Sequence, residues 1–99
     1  MTDKVTKVTV PRVHLNGTSF DDLYQQAAQA GASLRYAIQA LDEMAPNGRD
    51  YYPQGEDALS RAQAEHRARV ERVRSVLDEV CAIAEAIADQ EREVPRDRA

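Results

Sequence analysis

The segment 47–55 concentrates the side chains of this chain that are best suited to bind a ligand. Its candidate binding residues are Asn47, Arg49, Tyr51, Tyr52 and Gln54. Tyrosine rings stack on nucleobases, and an arginine forms paired hydrogen bonds with phosphate. Amide side chains hydrogen-bond to base edges, and the N–H groups of exposed glycines can approach an anion closely. The segment therefore predicts binding of a ligand that combines flat rings with negative charge.

A purely structural interpretation of the same segment stays open. An ion pair between Arg49 and Asp50 would hold the loop in place without any ligand. One of the two tyrosines would then plug the end of a helical core, with its hydroxyl group bonded to a backbone partner. Long ordered loops often carry function, so the sequence leaves both interpretations open.

Charge is distributed unevenly after this segment. Arginines predominate in the basic zone, 59–74, which contains Arg61, Arg67, Arg69, Arg72 and Arg74 against Glu65 and Glu71. The following acidic zone, 78–93, is rich in Asp and Glu. The basic zone is either a solvated helix face, stabilised by pairs such as Glu65–Arg69, or a surface that attracts an anion toward the loop. In the second case Arg67 and Arg69 are candidate phosphate contacts.

Net charge and composition exclude several classes of partner. The net charge of −4 argues against binding of DNA or RNA, which requires clustered Lys and Arg to neutralise phosphates. A single cysteine, Cys81, cannot form an intramolecular disulfide and favours a reduced compartment. No apolar run reaches the roughly 20 residues of a membrane span, and the first residues are too polar for a signal peptide. We therefore expect a cytoplasmic protein that binds neither nucleic acid nor membrane.

No arrangement of residues predicts catalysis. His66 follows the apolar spacing of its helix, which is typical of a buried histidine with satisfied hydrogen bonds. Cys81 lies among small apolar neighbours, so it is expected to pack rather than to act as a nucleophile. Adjacent acidic pairs such as Asp21–Asp22 splay apart on a helix and cannot form an acid–base couple. No metal-binding or nucleotide-binding motif is present, so we expect neither an enzyme nor a metal or cofactor.

An extended arm is predicted over residues 1–17. Its β-branched residues alternate, while Pro11 removes the backbone donor that a central strand would need. The arm is either an ordinary edge strand or a segment that crosses a subunit boundary, where Arg12 and His14 would help close a binding pocket. A turn is predicted at Asn16-Gly17.

Two helices are predicted over 18–45 and 58–90, with a loop over 46–57 between them. Thr18 or Ser19 caps the first helix, whose apolar residues recur every seventh position. They form two columns: Phe20, Ala27, Leu34, Leu41 and Tyr24, Gly31, Ile38. The second helix has an apolar stripe with spacings of three and four residues. Its members are Leu59, Ala62, His66, Val70, Val73, Leu77, Val80, Ala84 and Ile87.

The second helix is long for a chain of 99 residues. At 1.5 Å per residue it extends about 50 Å, and the first helix extends about 40 Å. An antiparallel hairpin of such helices leaves a second face uncovered, which favours self-association. We therefore expect a single all-α domain, a long antiparallel two-helix hairpin with a short extended N-terminal arm and a frayed tail over 91–99. It is expected to assemble as a homo-oligomeric helical bundle.

The layout of two long helices joined by a Pro-x-x-Arg-acid loop resembles the hairpin domain of phage-encoded anti-CBASS and anti-Thoeris sponge proteins. The likeness extends over about 34–87, and it is carried by Pro46, Arg49, Asp50, Ala58 and Leu59. Those proteins oligomerise and sequester cyclic-oligonucleotide or cyclic ADP-ribose immune signals without cleaving them. The resemblance implies a bacteriophage anti-defence protein in the cytoplasm of the host cell, with Arg49 as a ligand contact. The alternative function is a phage protein–protein interaction or assembly factor that uses an exposed helix face and no small-molecule ligand.

Overall fold

The computed structural model describes residues 7–93 and contains two long helices, α1 (Phe20–Glu43) and α2 (Glu56–Glu93). Two short 3₁₀ turns, Gly48–Asp50 and Tyr52–Gln54, lie between them, and the described residues form no strand. The predicted all-helical hairpin is thereby confirmed. Both ends of α1 lie two residues inside the predicted bounds, whereas α2 begins two residues earlier and ends three residues later than predicted.

The start of α1 is fixed by its capping residue. Of the two predicted candidates, Ser19 is the cap, and its hydroxyl oxygen accepts a hydrogen bond from the backbone N–H of Asp22 at 3.1 Å. Asp21 and Asp22 occupy the first turn, where their negative charge is stabilised by the helix dipole. The helix ends at Glu43, three residues before Pro46, which cannot continue it.

The two helices run antiparallel, and their register is defined by two contacts. Gly31 of α1 lies against Leu77 and Val80 of α2, since a Cβ atom built on it would be 3.9 Å from a side-chain carbon of each. Ten residues further along α1, the carbonyl oxygen of Leu41 meets the ring of His66. Gly31 and Ile38 of the second predicted column thus face α2, and Ile38 is buried between the helices, whereas Tyr24 of the same column is exposed.

The hydrophobic core between the helices is thin. Among residues 7–91, the buried apolar side chains are Ile38, Ala58, Leu77 and Ile87. The radius of gyration is 19.6 Å, whereas a compact domain of this length has about 13 Å. The hairpin measures 68 Å along its longest axis, so much of its apolar surface has no partner within one chain.

The arm takes an irregular extended path, and its predicted edge strand does not form within residues 7–19. The predicted turn is present, closed by a hydrogen bond from the N–H of Gly17 to the carbonyl of His14 at 3.1 Å. The buried amide of Gln90 holds the arm onto the end of α2. It donates to the carbonyl of Pro11 at 2.8 Å and accepts from the N–H of Val13 at 2.9 Å. This amide thus pairs with one carbonyl and one N–H of the arm, as the backbone of a neighbouring strand would.

The predictions for 1–6 and for 94–99 lie outside the described residues. Within the described part, the predicted tail still belongs to α2 as far as Glu93.

Candidate functional site

The loop between the helices has a defined internal framework. The side-chain amide of Asn47 donates a hydrogen bond to a carboxylate oxygen of Asp50 at 3.1 Å, while the carbonyl of Asn47 accepts from the N–H of Asp50 at 3.2 Å. Asn47 therefore shapes the first 3₁₀ turn. The sequence interpretation paired Asp50 with Arg49, but its partner in this turn is the Asn47 amide.

The loop joins α2 through a glycine that no other residue replaces easily. Gly55 has φ 109° and ψ 167°, a backbone conformation available essentially to glycine alone. Its carbonyl accepts a hydrogen bond from Ala58 in the first turn of α2, and its N–H donates to Tyr52. Gly48 lies beside Leu59, with 3.7 Å between the position of an added Cβ and the nearest side-chain carbon. The loop thus folds back along the start of α2.

The two adjacent tyrosines have different environments. Tyr51 is half-buried, whereas the side chain of Tyr52 is 76% exposed. The sequence did not distinguish them, because neighbouring residues in an irregular segment have no periodicity. Arg49 and Gln54 are also exposed. The loop consequently offers one aromatic face, one guanidinium group and one amide to the surroundings on a framework held by its own backbone hydrogen bonds.

The two candidate arginines of the basic zone have different roles. Arg69 donates a hydrogen bond to Nδ1 of His66 at 2.9 Å, and Nε2 of His66 is 2.8 Å from the carbonyl oxygen of Leu41. Because a guanidinium group only donates, Nδ1 must be the accepting nitrogen and Nε2 must carry the proton. His66 therefore links the two helices as a neutral ring, which confirms the buried, satisfied histidine expected from its spacing. Arg69 is engaged in this link, while Arg67 is exposed.

Arg12 lies at the other end of the hairpin from the loop. It sits in the arm between the two residues that Gln90 holds, whereas the loop contacts α2 near Leu59. The 31 residues between Leu59 and Gln90 correspond to roughly 45 Å along α2. Arg49, Tyr52 and Gln54 thus share one loop, whereas Arg12 is far from them within one chain.

Two contacts were not anticipated from the sequence. Gln90 lies three residues after Ile87 and continues the apolar stripe of α2. A single amide in an apolar stripe is the feature of the sequence that could have indicated a buried, hydrogen-bonded glutamine. Arg35 approaches Cys81 across the helices, with 3.5 Å between the guanidinium nitrogen and the sulfur. No signal in the sequence links these two residues, since they lie 46 positions apart.

Neither a cluster of three potential metal ligands nor a helix suited to crossing a membrane occurs among residues 7–93. Comparison with known proteins adds no relative, because no family model, no curated protein and no solved structure matches the chain.

Proposed function

We propose that this protein is a non-catalytic sponge that binds a nucleotide-derived ligand at the loop between its helices. The observation that carries the proposal is the joint exposure of Arg49, Tyr52 and Gln54 on a framework fixed by 3₁₀ turns. A loop that serves only to reverse the direction of the chain does not need an exposed arginine, tyrosine and glutamine. A framework held by its own hydrogen bonds also reduces the entropy lost when a ligand binds.

Each exposed side chain has a distinct part in this proposal. Tyr52 stacks on a base, an interaction worth about 1–3 kcal/mol. Arg49 donates paired hydrogen bonds to a phosphate, and Gln54 bonds to the edge of the base. Tyr51 and Asn47 support the framework instead, because the ring of Tyr51 is half-buried and the Asn47 amide is bound to Asp50.

The ligand class follows from the resemblance to phage sponge proteins together with this chemistry. A cyclic oligonucleotide or a cyclic ADP-ribose combines bases with phosphates in one compact molecule. Sequestering such an immune signal in the host cytoplasm would suppress a bacterial antiviral response without any catalytic group. Arg67, which is exposed on α2, is a further phosphate contact in this proposal.

Isothermal titration calorimetry of the purified chain with cyclic di- and trinucleotides and with cyclic ADP-ribose isomers tests the proposal. We expect one class to bind, and we expect Arg49→Ala and Tyr52→Ala each to weaken binding about tenfold or more. Tyr36→Ala is the matched control, because Tyr36 is 73% exposed on α1 and lies outside the loop. Absence of heat with every ligand at high micromolar protein would refute the proposal.

A second candidate function is a helical interaction or assembly factor. It is favoured by large apolar side chains that are exposed on α1 (Tyr36), just after its end (Met44) and on α2 (Val76). A host protein that binds the wild-type chain and still binds Arg49→Ala and Tyr52→Ala with equal affinity would support this function over the first. Loss of that binding in both loop variants would contradict it.

A further inference from the structure

We propose that a second copy of this chain packs antiparallel along α2, with Arg72 of each copy opposite Glu79 of the other. The contact surface is an outer stripe on α2, defined as Ala68, Arg72, Val76, Glu79, Ile83 and Ala86. As a consequence, Arg12 of one copy reaches the same end of the dimer as the loop of the other. This last step rests on the proposed function, whereas the dimer itself does not.

The outer stripe is separate from the face of α2 that packs on α1. Leu77 and Val80 contact Gly31 on the α1 side, while Val76 is 46% exposed. The members of the stripe recur at spacings of three and four, so they share one side of the helix. Ala68, Arg72, Val76 and Glu79 are exposed in a single hairpin. Ile83 and Ala86 are half-buried, and the arm lies beyond them at Gln90, so the uncovered part of the stripe is its N-terminal part and middle.

The C-terminal half of α2 needs a further packing partner. Between Val80 and Ala88 the only charged residue is Glu85, so this part of the helix is apolar on nearly all sides. Only Ile87 is fully buried there, and its apolar neighbours are half-buried. A helix that is apolar all round is normally covered by more than one neighbour.

Charge identifies a second copy as the occupant and gives its direction. In the antiparallel pairing that sets Arg72 opposite Glu79, position 68 faces position 83, so Ala68 meets Ile83 and Val76 lies next to the two-fold axis. The same register places the basic zone, 59–74, opposite 77–92, which is nearly the whole acidic zone. A parallel pairing in register would instead set arginine against arginine and glutamate against glutamate. Charge pairs of this kind specify orientation more than they add affinity.

The register also joins the two separated parts of the candidate site. In antiparallel helices, each step forward along one copy corresponds to a step back along the other. Because position 72 faces position 79, position 90 of one copy faces position 61 of the other. Gln90 holds the arm that carries Arg12, and Leu59 contacts the loop at Gly48. Each end of the dimer thus combines the loop of one copy with the arm of the other. Arg12 of the arm then supplies a second guanidinium group beside Arg49 of the loop, which suits a ligand with two phosphates.

Sedimentation equilibrium of the full chain without ligand tests the dimer. We expect twice the chain mass of 11.0 kDa. Arg72→Glu and Glu79→Arg should each raise the dimer dissociation constant at least tenfold, and the double swap should restore it. Arg74→Glu is the matched control, because Arg74 is exposed on the opposite side of α2. A monomer at 100 µM, or a dimer unaffected by either single reversal, would overturn the inference.

Cross-linking tests the direction of the pairing. In a Cys81→Ala background, Ala68→Cys and Ile83→Cys chains are mixed and treated with a short bismaleimide. We expect cross-links in the mixture and few in either chain alone. Efficient cross-linking of Ala68→Cys with itself would establish a parallel pairing and overturn the proposed register.

Ligand binding separates the inference from the proposed function. If the dimer forms as described, Arg12→Ala should weaken ligand binding about tenfold without changing the mass. Wild-type affinity in Arg12→Ala would contradict the shared site while leaving the dimer intact. A dimer that binds no ligand would contradict the proposed function alone.

Discussion

Single residues with unusual environments determine how the loop and the helices are joined. Gly55 adopts a backbone conformation that residues with a Cβ atom rarely adopt. His66 is the only polar ring buried between the helices in the described part of the chain. Gly55 closes the second 3₁₀ turn by donating its N–H to the carbonyl of Tyr52, whereas His66 lies on α2 and bonds to Leu41 and Arg69. Their contribution is to hold the loop in register with α2, and it is measurable as stability.

Replacing Gly55 with alanine should lower the free energy of unfolding by about 1–3 kcal/mol, because a Cβ atom is strained at this φ and ψ. Urea unfolding followed by circular dichroism measures the change. Gly48→Ala is the control, since a Cβ there makes an ordinary 3.7 Å contact with Leu59 and its φ is not positive. Equal stability of the wild type and the Gly55 variant would contradict the assigned conformation.

Replacing His66 with alanine should lower the free energy of unfolding by roughly 2 kcal/mol. The variant loses the hydrogen bonds to Leu41 and Arg69 and leaves a cavity between the helices. His14→Ala, at an exposed position, should change stability much less in the same urea titration. An His66→Ala protein as stable as the wild type would show that the ring does not link the helices.

At the scale of the elements, the distance between the helices does not explain why position 31 is a glycine. The position is buried, yet a Cβ atom would meet its neighbours only at 3.7–3.9 Å, which is ordinary van der Waals contact. Space for one methyl group is thus present between Gly31 and α2. Gly31 therefore reduces helix stability without a compensating contact.

Gly31→Ala should accordingly raise the free energy of unfolding by about 0.5–1 kcal/mol, through helix propensity and the lower entropy of the unfolded chain. Gly31→Leu should lower it, because the larger side chain would collide with Leu77 and Val80. Thermal unfolding of the wild type, Gly31→Ala and Gly31→Leu measures the order of their stabilities. Destabilisation by alanine would mean that the helices lie closer than the structure places them.

Sequence periodicity predicts the helices well and the connections poorly. An apolar residue recurs at regular spacing whenever one face of a helix packs on a neighbour. This is why the spacing predicts both helices, from Phe20 to Leu41 and from Leu59 to Ile87. The framework of the loop depends on a contact between Asn47 and Asp50 and on the dihedral angles of Gly55, neither of which has a period. The bond of Gln90 to the arm joins residues 77 and 79 positions apart, and spacing carries no information about such pairs.

At the scale of the molecule, shape and charge point to assembly. A hairpin 68 Å long with a thin core gains stability when its second apolar face is covered, and opposite charges on the two halves of α2 favour one orientation. In the proposed dimer, folding and association are linked.

The melting temperature of the wild type should therefore rise with protein concentration and fall as salt screens the charge pairs. Differential scanning calorimetry over a hundredfold concentration range, at low and high salt, measures both effects. Arg72→Glu should abolish most of the concentration dependence while Arg74→Glu retains it. A wild-type melting temperature independent of concentration would argue against assembly.

The bond between Gln90 and the arm also has a consequence for biosynthesis. The arm is synthesised before its partner on α2 exists, because 77 residues separate Val13 from Gln90. Docking of the arm therefore cannot begin until Gln90 has been added to the growing chain, so it is a late step in the folding of this hairpin.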